Sequence, residues 1–145
     1  MNRIKPRIFV SYSRKDADFI QGVRGALAKA GIECWIDVSA IEAGDRLREA
    51  ILGDGIPNCN LFFAYLTRDY LNSDWCMREL GEALQSARVR IAPFAESTET
   101  LSSFPLEVRR ELHCGILDAT NYWDVMMQVS GKAWMTPRRR AFGFL

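Results

Sequence analysis

One short segment of the chain, SDWCMREL at positions 73–80, places an aromatic ring and an acid at helical spacing. Trp75 and Glu79 are four residues apart, so they would share one face of a helix. A carboxylate held beside an aromatic wall can act on a bound ligand by stabilising positive charge. Glu79 could equally be an ordinary solvated helix residue, which is the simpler interpretation of Glu82 one turn later.

Few other kinds of chemistry are open to this sequence. A single histidine, His113, argues against a His-based metal site or a Ser-His-Asp triad. Four cysteines are scattered without a CxxC pair, which indicates reduced, buried thiols, and Cys76 has no basic residue placed to activate it. Neither GxGxxG nor GxxxxGK[ST] occurs, so the common nucleotide-binding loops are absent. We therefore expect no metal ion and no cofactor.

The composition is that of a globular domain with no strong attraction to a charged partner. Hydrophobic residues make up 48%, charged residues 26%, and the net charge is +1, so binding to nucleic acid or to an anionic membrane is not expected. No apolar run approaches the roughly 20 residues that cross a bilayer, and the N-terminus lacks a signal peptide pattern, which predicts a cytoplasmic protein. The length suits one domain, assigned to residues 1–135, with residues 136–145 as a C-terminal tail or linker.

Apolar patterns of strand and helix type alternate along the chain. The predicted strands are 7–12, 32–37, 61–66, 90–94 and a short one within 112–119. The predicted helices run from the cap Ser13 to the glycine stop Gly31, from Asp45 to about residue 52, and at about 75–87 and 122–133, with 67–74 and 95–105 as turn and loop. In the last helix, the residues predicted to face partly inward are Trp123, Met126, Met127 and Val129. This alternation predicts an α/β fold, a parallel sheet covered by helices on both faces.

A candidate site follows from this architecture, because ligands bind outside the carboxyl ends of parallel strands. The residues predicted to bind a substrate there, around Glu79, are Ser11, Tyr12, Arg14, Trp35, Asp37, Ser73 and Trp75. Most also have a plain structural interpretation. Ser11 can be a turn residue, Trp35 a core or interface residue, and Asp37 a loop cap.

Three segments of the chain resemble Toll/interleukin-1 receptor (TIR) domains of bacterial type. They are IFVSYSRKDADF at 8–19, GIECWIDVSAIEAGDRLREAI at 31–51 and LFFAYLTRDYLNSDWCMRELGEAL at 61–84, which carries the WCxxEL signature. The resemblance extends from Arg7 to about Phe94, and more loosely over ELHCGILDA at 111–119. It implies a flavodoxin-like, three-layer fold with a five-stranded parallel sheet.

The resemblance also implies an activity. The glutamate of WCxxEL in catalytic TIR domains hydrolyses or cyclises NAD, and Glu79 occupies that position. NAD would then be a substrate, cleaved to nicotinamide and either ADP-ribose or a cyclic ADP-ribose. In prokaryotic members such enzymes serve in defence against phage.

A second implication of the resemblance is self-association. The loop Val38–Gly44 corresponds to the loop through which TIR domains pair, although it carries Ala40-Ile41-Glu42-Ala43 where many members have a proline or several lysines. A non-catalytic adaptor that pairs through this loop is therefore the alternative function, and a partner or effector protein encoded elsewhere is a further possibility. A nucleoside-processing transferase of similar fold is a third, which the WCxxEL context disfavours.

Overall fold

A computed structural model describes residues 5–36, 56, 59–86, 89–112 and 114–136, with the backbone alone at 35–36 and 110–112. Four features predicted from the sequence lie outside the described residues: Asp37, the Val38–Gly44 loop, the helix after Asp45, and the tail beyond Thr136.

Five parallel strands form one sheet in the order β2-β1-β3-β4-β5. The strands are β1 Arg7–Ser11, β2 Glu33–Ile36, β3 Leu61–Leu66, β4 Ile91–Ala95 and β5 Gly115–Ile116. All six residues of the central strand β3 are buried, as expected for a parallel strand covered on both faces. The predicted α/β fold of flavodoxin-like type, with five parallel strands between helical layers, is confirmed.

Helices cover the two faces of the sheet with separate apolar cores. Within the described residues they are α1 Ala17–Lys29, α2 Arg68–Leu71, α3 Asp74–Gln85, α4 Thr98–Ser102, α5 Leu106–Leu112 and α6 Tyr122–Met135, preceded by a 3-10 turn at Arg14–Asp16. Helices α1 and α6 pack on the face that carries Val10 and Phe63. Helix α3 packs on the opposite face against Phe9 and Phe62, whose rings stack with centroids 5.4 Å apart.

Strand β5 covers only one end of its neighbour β4. It pairs with the last two residues of β4, Phe94 and Ala95, and Pro93 lies immediately before them. The N–H of Glu96 donates to the carbonyl of Leu66 on the β3 side. The backbone groups of successive residues in a strand point to alternate sides, so the nitrogen of Pro93 faces away from β3. The missing N–H of Pro93 therefore removes no hydrogen bond to the central strand.

Two polar segments are helical where the sequence predicted turn and loop. Residues 67–74 include α2, and residues 95–105 include α4. Both short helices begin at a side-chain cap, since Thr67 accepts from the Tyr70 N–H and Ser97 from the Thr100 N–H, each at 3.1 Å. The capping hydroxyls were present in the sequence, but helices of four or five residues have too little apolar periodicity to be recognised.

Helix α1 ends at a glycine whose backbone conformation other residues avoid. Gly31 has a φ of +79°, and an added Cβ would lie 3.2 Å from the ring of Trp134. We expect Gly31→Ala to destabilise the fold by about 1–2 kcal/mol, measured by urea denaturation. Gly25→Ala, inside α1 where a Cβ meets nothing within 4 Å, is the control and should stabilise by roughly 0.5–1 kcal/mol. Equal effects of the two changes would contradict this account of the helix end.

Candidate active site

The acid of the SDWCMREL segment lies in the protein interior, bonded to the first strand. Glu79 is 1% exposed, and its Oε1 accepts a hydrogen bond of 2.9 Å from Oγ of Ser11, the last residue of β1. The same Ser11 Oγ lies 2.8 Å from the hydroxyl of Tyr70. Because a serine hydroxyl has one proton and Ser11 gives it to Glu79, Tyr70 donates to Ser11. The three side chains form a directed hydrogen-bond chain, here called the Glu79 chain.

Helix α3 carries Glu79 on the face that packs against the sheet. Ser73 caps this helix, since its Oγ accepts from the N–H of Cys76 at 3.2 Å. Cys76, Leu80 and Ala83 are buried at intervals of three and four residues, and Glu79 falls within that stripe. Burying a carboxylate costs free energy unless it is hydrogen-bonded, and the bond from Ser11 offsets part of that cost. Glu79 is therefore not a solvated helix residue.

A cavity of about 310 Å³ lies next to the Glu79 chain, outside the end of β1 and at the start of α3. Trp75 forms part of its wall, whereas Glu79, one turn later on the same helix, is not among its lining residues within the described chain. The volume is at the lower end of the range for small-molecule sites. Its described lining residues are Tyr12, Ser13, Arg14, Lys15, Asp69, Asn72, Ser73, Trp75 and Cys76.

The residues predicted to bind substrate divide into three groups. Those that line the cavity are Tyr12, Arg14, Ser73 and Trp75. Ser11 lies behind the cavity, fully buried, with its hydroxyl bonded to Glu79. Trp35 pairs with Phe9 across β2 and β1, and its side chain and the whole of Asp37 lie outside the described part of the chain. Four of the seven residues predicted from the sequence to bind substrate therefore line one cavity.

Basic groups lie at this cavity. Arg14 and Lys15 are both exposed, and Lys15 Nζ lies 3.7 Å from Oδ1 of Asp69. The guanidinium carbon of Arg78 lies 5.8 Å from the ring centroid of Trp75, within the range of a cation–π contact. Exposed ion pairs contribute little to stability, so the Lys15–Asp69 pair can give way to a bound anion at small cost.

Carboxylates occupy the same sheet edge farther along, beyond β3, β4 and β5. Oδ2 of Asp16 accepts a bond of 2.7 Å from the Thr67 hydroxyl, and burial raises the pKa of Asp16. Burial, together with the carboxylates of Asp16, Glu96 and Asp118, raises the pKa of Tyr65 to about 12. This part of the edge is therefore unfavourable for phosphate, in contrast to the region of Arg14 and Lys15.

Among the described residues, the cysteines and acids give no sign of thiol or metal chemistry. All four cysteines are free thiols, as the sequence predicted, although Cys34 and Cys114 are partly exposed. Burial raises the pKa of Cys34 and of Cys59 to about 11, which disfavours the reactive thiolate. Cys76 donates its S–H to the carbonyl of Tyr12 at 3.3 Å. In the described part of the chain, no three His, Cys, Asp or Glu residues are placed to share a metal ion.

Sequence reasoning missed Tyr70 of the Glu79 chain, and also Lys15, Asp69 and Asn72 of the cavity lining. Tyr70 lies on α2, fully buried, with its ring centroid 6.2 Å from that of Phe104. A local signal existed, since Thr67 precedes it at the spacing of a helix cap. Nothing local links Tyr70 to Ser11, 59 residues earlier in the chain.

The family model described as TIR domain (TIR_2) matches residues 8–126. The chain belongs to the TIR domain family. It is 32% identical over 90 residues to a protein named NAD(+) hydrolase PdTIR from Paracoccus denitrificans (strain Pd 1222), a match covering 59% of this chain and 30% of that protein. It is 35% identical over 68 residues to one named probable 2′ cyclic ADP-D-ribose synthase BdTIR from Brachypodium distachyon, covering 47% of this chain and 30% of that protein.

A solved structure resembles this TIR domain in fold. The TIR domain of the Toll-related receptor TRR-2 from Hydra magnipapillata matches with a TM-score of 0.65 and 17% identity, over 86% of this chain and 97% of that one. Among the described residues, no helix is both long enough and apolar enough to cross a membrane.

Proposed function

We propose that this TIR domain cleaves NAD at the bond between nicotinamide and ribose, with Glu79 as the catalytic carboxylate. The observation that carries the proposal is a buried Glu79, bonded to Ser11 and one helical turn from Trp75 in the cavity wall. The printed names of the two relatives, an NAD(+) hydrolase and a probable 2′ cyclic ADP-D-ribose synthase, support the same reaction class. On the basis of the family resemblance, the proposal includes a cytoplasmic location and a role in antiphage defence.

The chemistry needs only one carboxylate. Nicotinamide leaves as a neutral molecule with the electron pair of the broken C–N bond, so it requires no general acid. The ribose that remains has the character of an oxocarbenium ion, and the negative charge of Glu79 stabilises it. Water that adds to this cation and releases a proton to solvent gives ADP-ribose, whereas a hydroxyl of the same molecule gives a cyclic product. NAD is thus the substrate, and no further cofactor takes part.

The other members of the Glu79 chain act as positioning residues. The bond from Ser11 to Oε1 limits the orientations of the carboxylate, and the bond from Tyr70 to Ser11 directs the serine proton toward Glu79. Hydrogen bonds that are already in place need not reorganise as positive charge develops on the ribose.

The charge distribution around the cavity favours one orientation of NAD. The diphosphate lies toward Arg14 and Lys15 and away from the carboxylates beyond β3 and β4, and Trp75 stacks on a flat ring or covers the ribose. Tyr12 and Ser73 also line the cavity. Contacts from Trp35 and Asp37 stay predictions. Because Glu79 is 1% exposed, the proposal requires a side-chain shift that opens it to the cavity.

The burial of Glu79 also favours a second candidate function. A carboxylate that does not line the cavity can be a structural acid, held by Ser11 to join β1 to α3. The chain would then be a non-catalytic module that associates with other TIR domains through Val38–Gly44, alone or with a partner protein. This candidate predicts no NAD turnover under any condition.

The purified protein incubated with NAD at high protein concentration tests the proposal, with products separated by mass spectrometry. We expect nicotinamide to appear in equal amount to the NAD lost, beside ADP-ribose or a product lighter by one water. If turnover is absent, the assay is repeated with the protein clustered on a bivalent scaffold. Absence of nicotinamide in both formats would overturn the proposal in favour of the adaptor.

A further inference from the structure

Helix α6 exposes an apolar stripe on the side opposite its buried face. Val125, Met126, Val129 and Ala133 are buried against the sheet. Three large side chains at intervals of four or eight residues face outward instead, with exposures of 67% at Trp123, 74% at Met127 and 84% at Met135. The sequence predicted Trp123 and Met127 to face partly inward. That was wrong, because apolar residues occur on both sides of this helix and periodicity could not tell the two sides apart.

A glycine interrupts the stripe where a fourth side chain would stand. Gly131 continues the four-residue spacing from Met127 to Met135, and a Cβ placed on it would meet nothing within 4 Å. The stripe is therefore a ridge with one gap. Ridges of this i, i+4 type pack into the grooves of a second helix in the commonest class of helix contact.

Charges flank the stripe in a symmetric pattern. Asp124 and Lys132 are exposed and lie about 12 Å apart along the helix. Neither side chain forms an ion pair within the described residues. The midpoint between them is residue 128, and the midpoint of the stripe from Trp123 to Met135 is residue 129. The two centres differ by about 1.5 Å of helix.

We propose that α6 is a self-association surface that binds α6 of a second copy in antiparallel orientation about a two-fold axis near residues 128–129. In that arrangement Met127 of each copy enters the gap at Gly131 of the other. Asp124 of each copy lies beside Lys132 of the other, which forms two equivalent ion pairs. This surface is separate from the cavity at the start of α3, so the inference does not depend on the proposed function.

The contact is small, since one helix face supplies it, and the expected dimer is weak and concentration-dependent. Sedimentation equilibrium over a range of protein concentrations measures it. Asp124→Lys should raise the dimer dissociation constant at least about tenfold, because two attractive contacts become repulsive. The double change Asp124→Lys with Lys132→Asp should restore dimerisation, since it exchanges the two charges within each pair.

A glycine pair provides the matched control. Gly131→Gln should abolish the dimer by filling the gap, while Gly25→Gln, at a helical glycine of α1 with the same open surroundings, should leave it unchanged. Both changes favour the helix, so loss of the dimer cannot be assigned to unfolding. A wild-type protein that stays monomeric at every concentration would overturn the proposal and point to a different occupant for this face. A dimer insensitive to Gly131→Gln, or no recovery in the double charge exchange, would overturn the antiparallel α6 arrangement.

Discussion

Replacing Glu79 by glutamine is expected to lower kcat for NAD cleavage by about 10²–10³-fold with little change in KM. The change removes the negative charge that stabilises the ribose cation but preserves the shape of the side chain. The amide oxygen of Gln can still accept from Ser11, so the hydrogen bond that joins β1 to α3 is kept. Nicotinamide release under saturating NAD gives kcat, and urea denaturation of the same protein checks the fold.

Glu82→Gln is the matched control for this prediction. It removes the same charge from the same helix one turn later, at an exposed position, and should leave kcat within about twofold. If Glu79→Gln turned over NAD as fast as Glu82→Gln, the carboxylate of Glu79 would be a structural acid and not the catalytic group. If the wild-type protein cleaves NAD and the folded Glu79→Gln variant does not, a non-catalytic adaptor function cannot explain the result.

A second large effect is expected from Leu80→Ala, which should destabilise the fold by about 2–5 kcal/mol. Leu80 is 1% exposed and packs in the core between α3 and the sheet, so truncation leaves a cavity that its neighbours fill only in part. The midpoint of urea denaturation at constant slope measures the loss. A cost of this size is a large part of the stability of a typical domain.

Leu84→Ala is the comparison one turn later on α3. Leu84 is 37% exposed, so less apolar area leaves the core and the cost should stay below about 1 kcal/mol. The difference between the two variants reports the rotation of α3 about its axis, and that rotation is what places Glu79 inward. Similar costs at Leu80 and Leu84 would contradict the orientation of the helix and hence the burial of Glu79.

Patterns with strong local signatures were predictable from the sequence. The apolar run of β3 was located with its bounds, because a strand covered on both faces is apolar throughout. The end of α1 at Gly31 was predictable because glycine readily adopts the positive φ found after the last turn of many helices. Trp75 and Ser73 were assigned to one site because the alternation of strands and helices places α3 at the carboxyl edge of the sheet.

Features that depend on tertiary contacts were not predictable. Whether Glu79 faces solvent or core depends on its pairing with Ser11, 68 residues away, and on the register of β1 beside β3. Tyr70 sits in a polar stretch whose helix is four residues long, so its burial arises from packing and not from periodicity. The outward apolar face of α6 was likewise not predictable, because apolar residues of this helix occur on both of its sides.

The proline in β4 has a consequence for how crowded copies of this domain behave. Pro93 lies on the part of β4 that precedes the segment paired with β5, and its nitrogen is directed away from β3. A strand from another chain that approached this margin of the sheet would find no N–H at that position, and prolines of this kind deter aggregation through exposed sheet edges. This margin of β4 is therefore a poor template for the addition of a further strand.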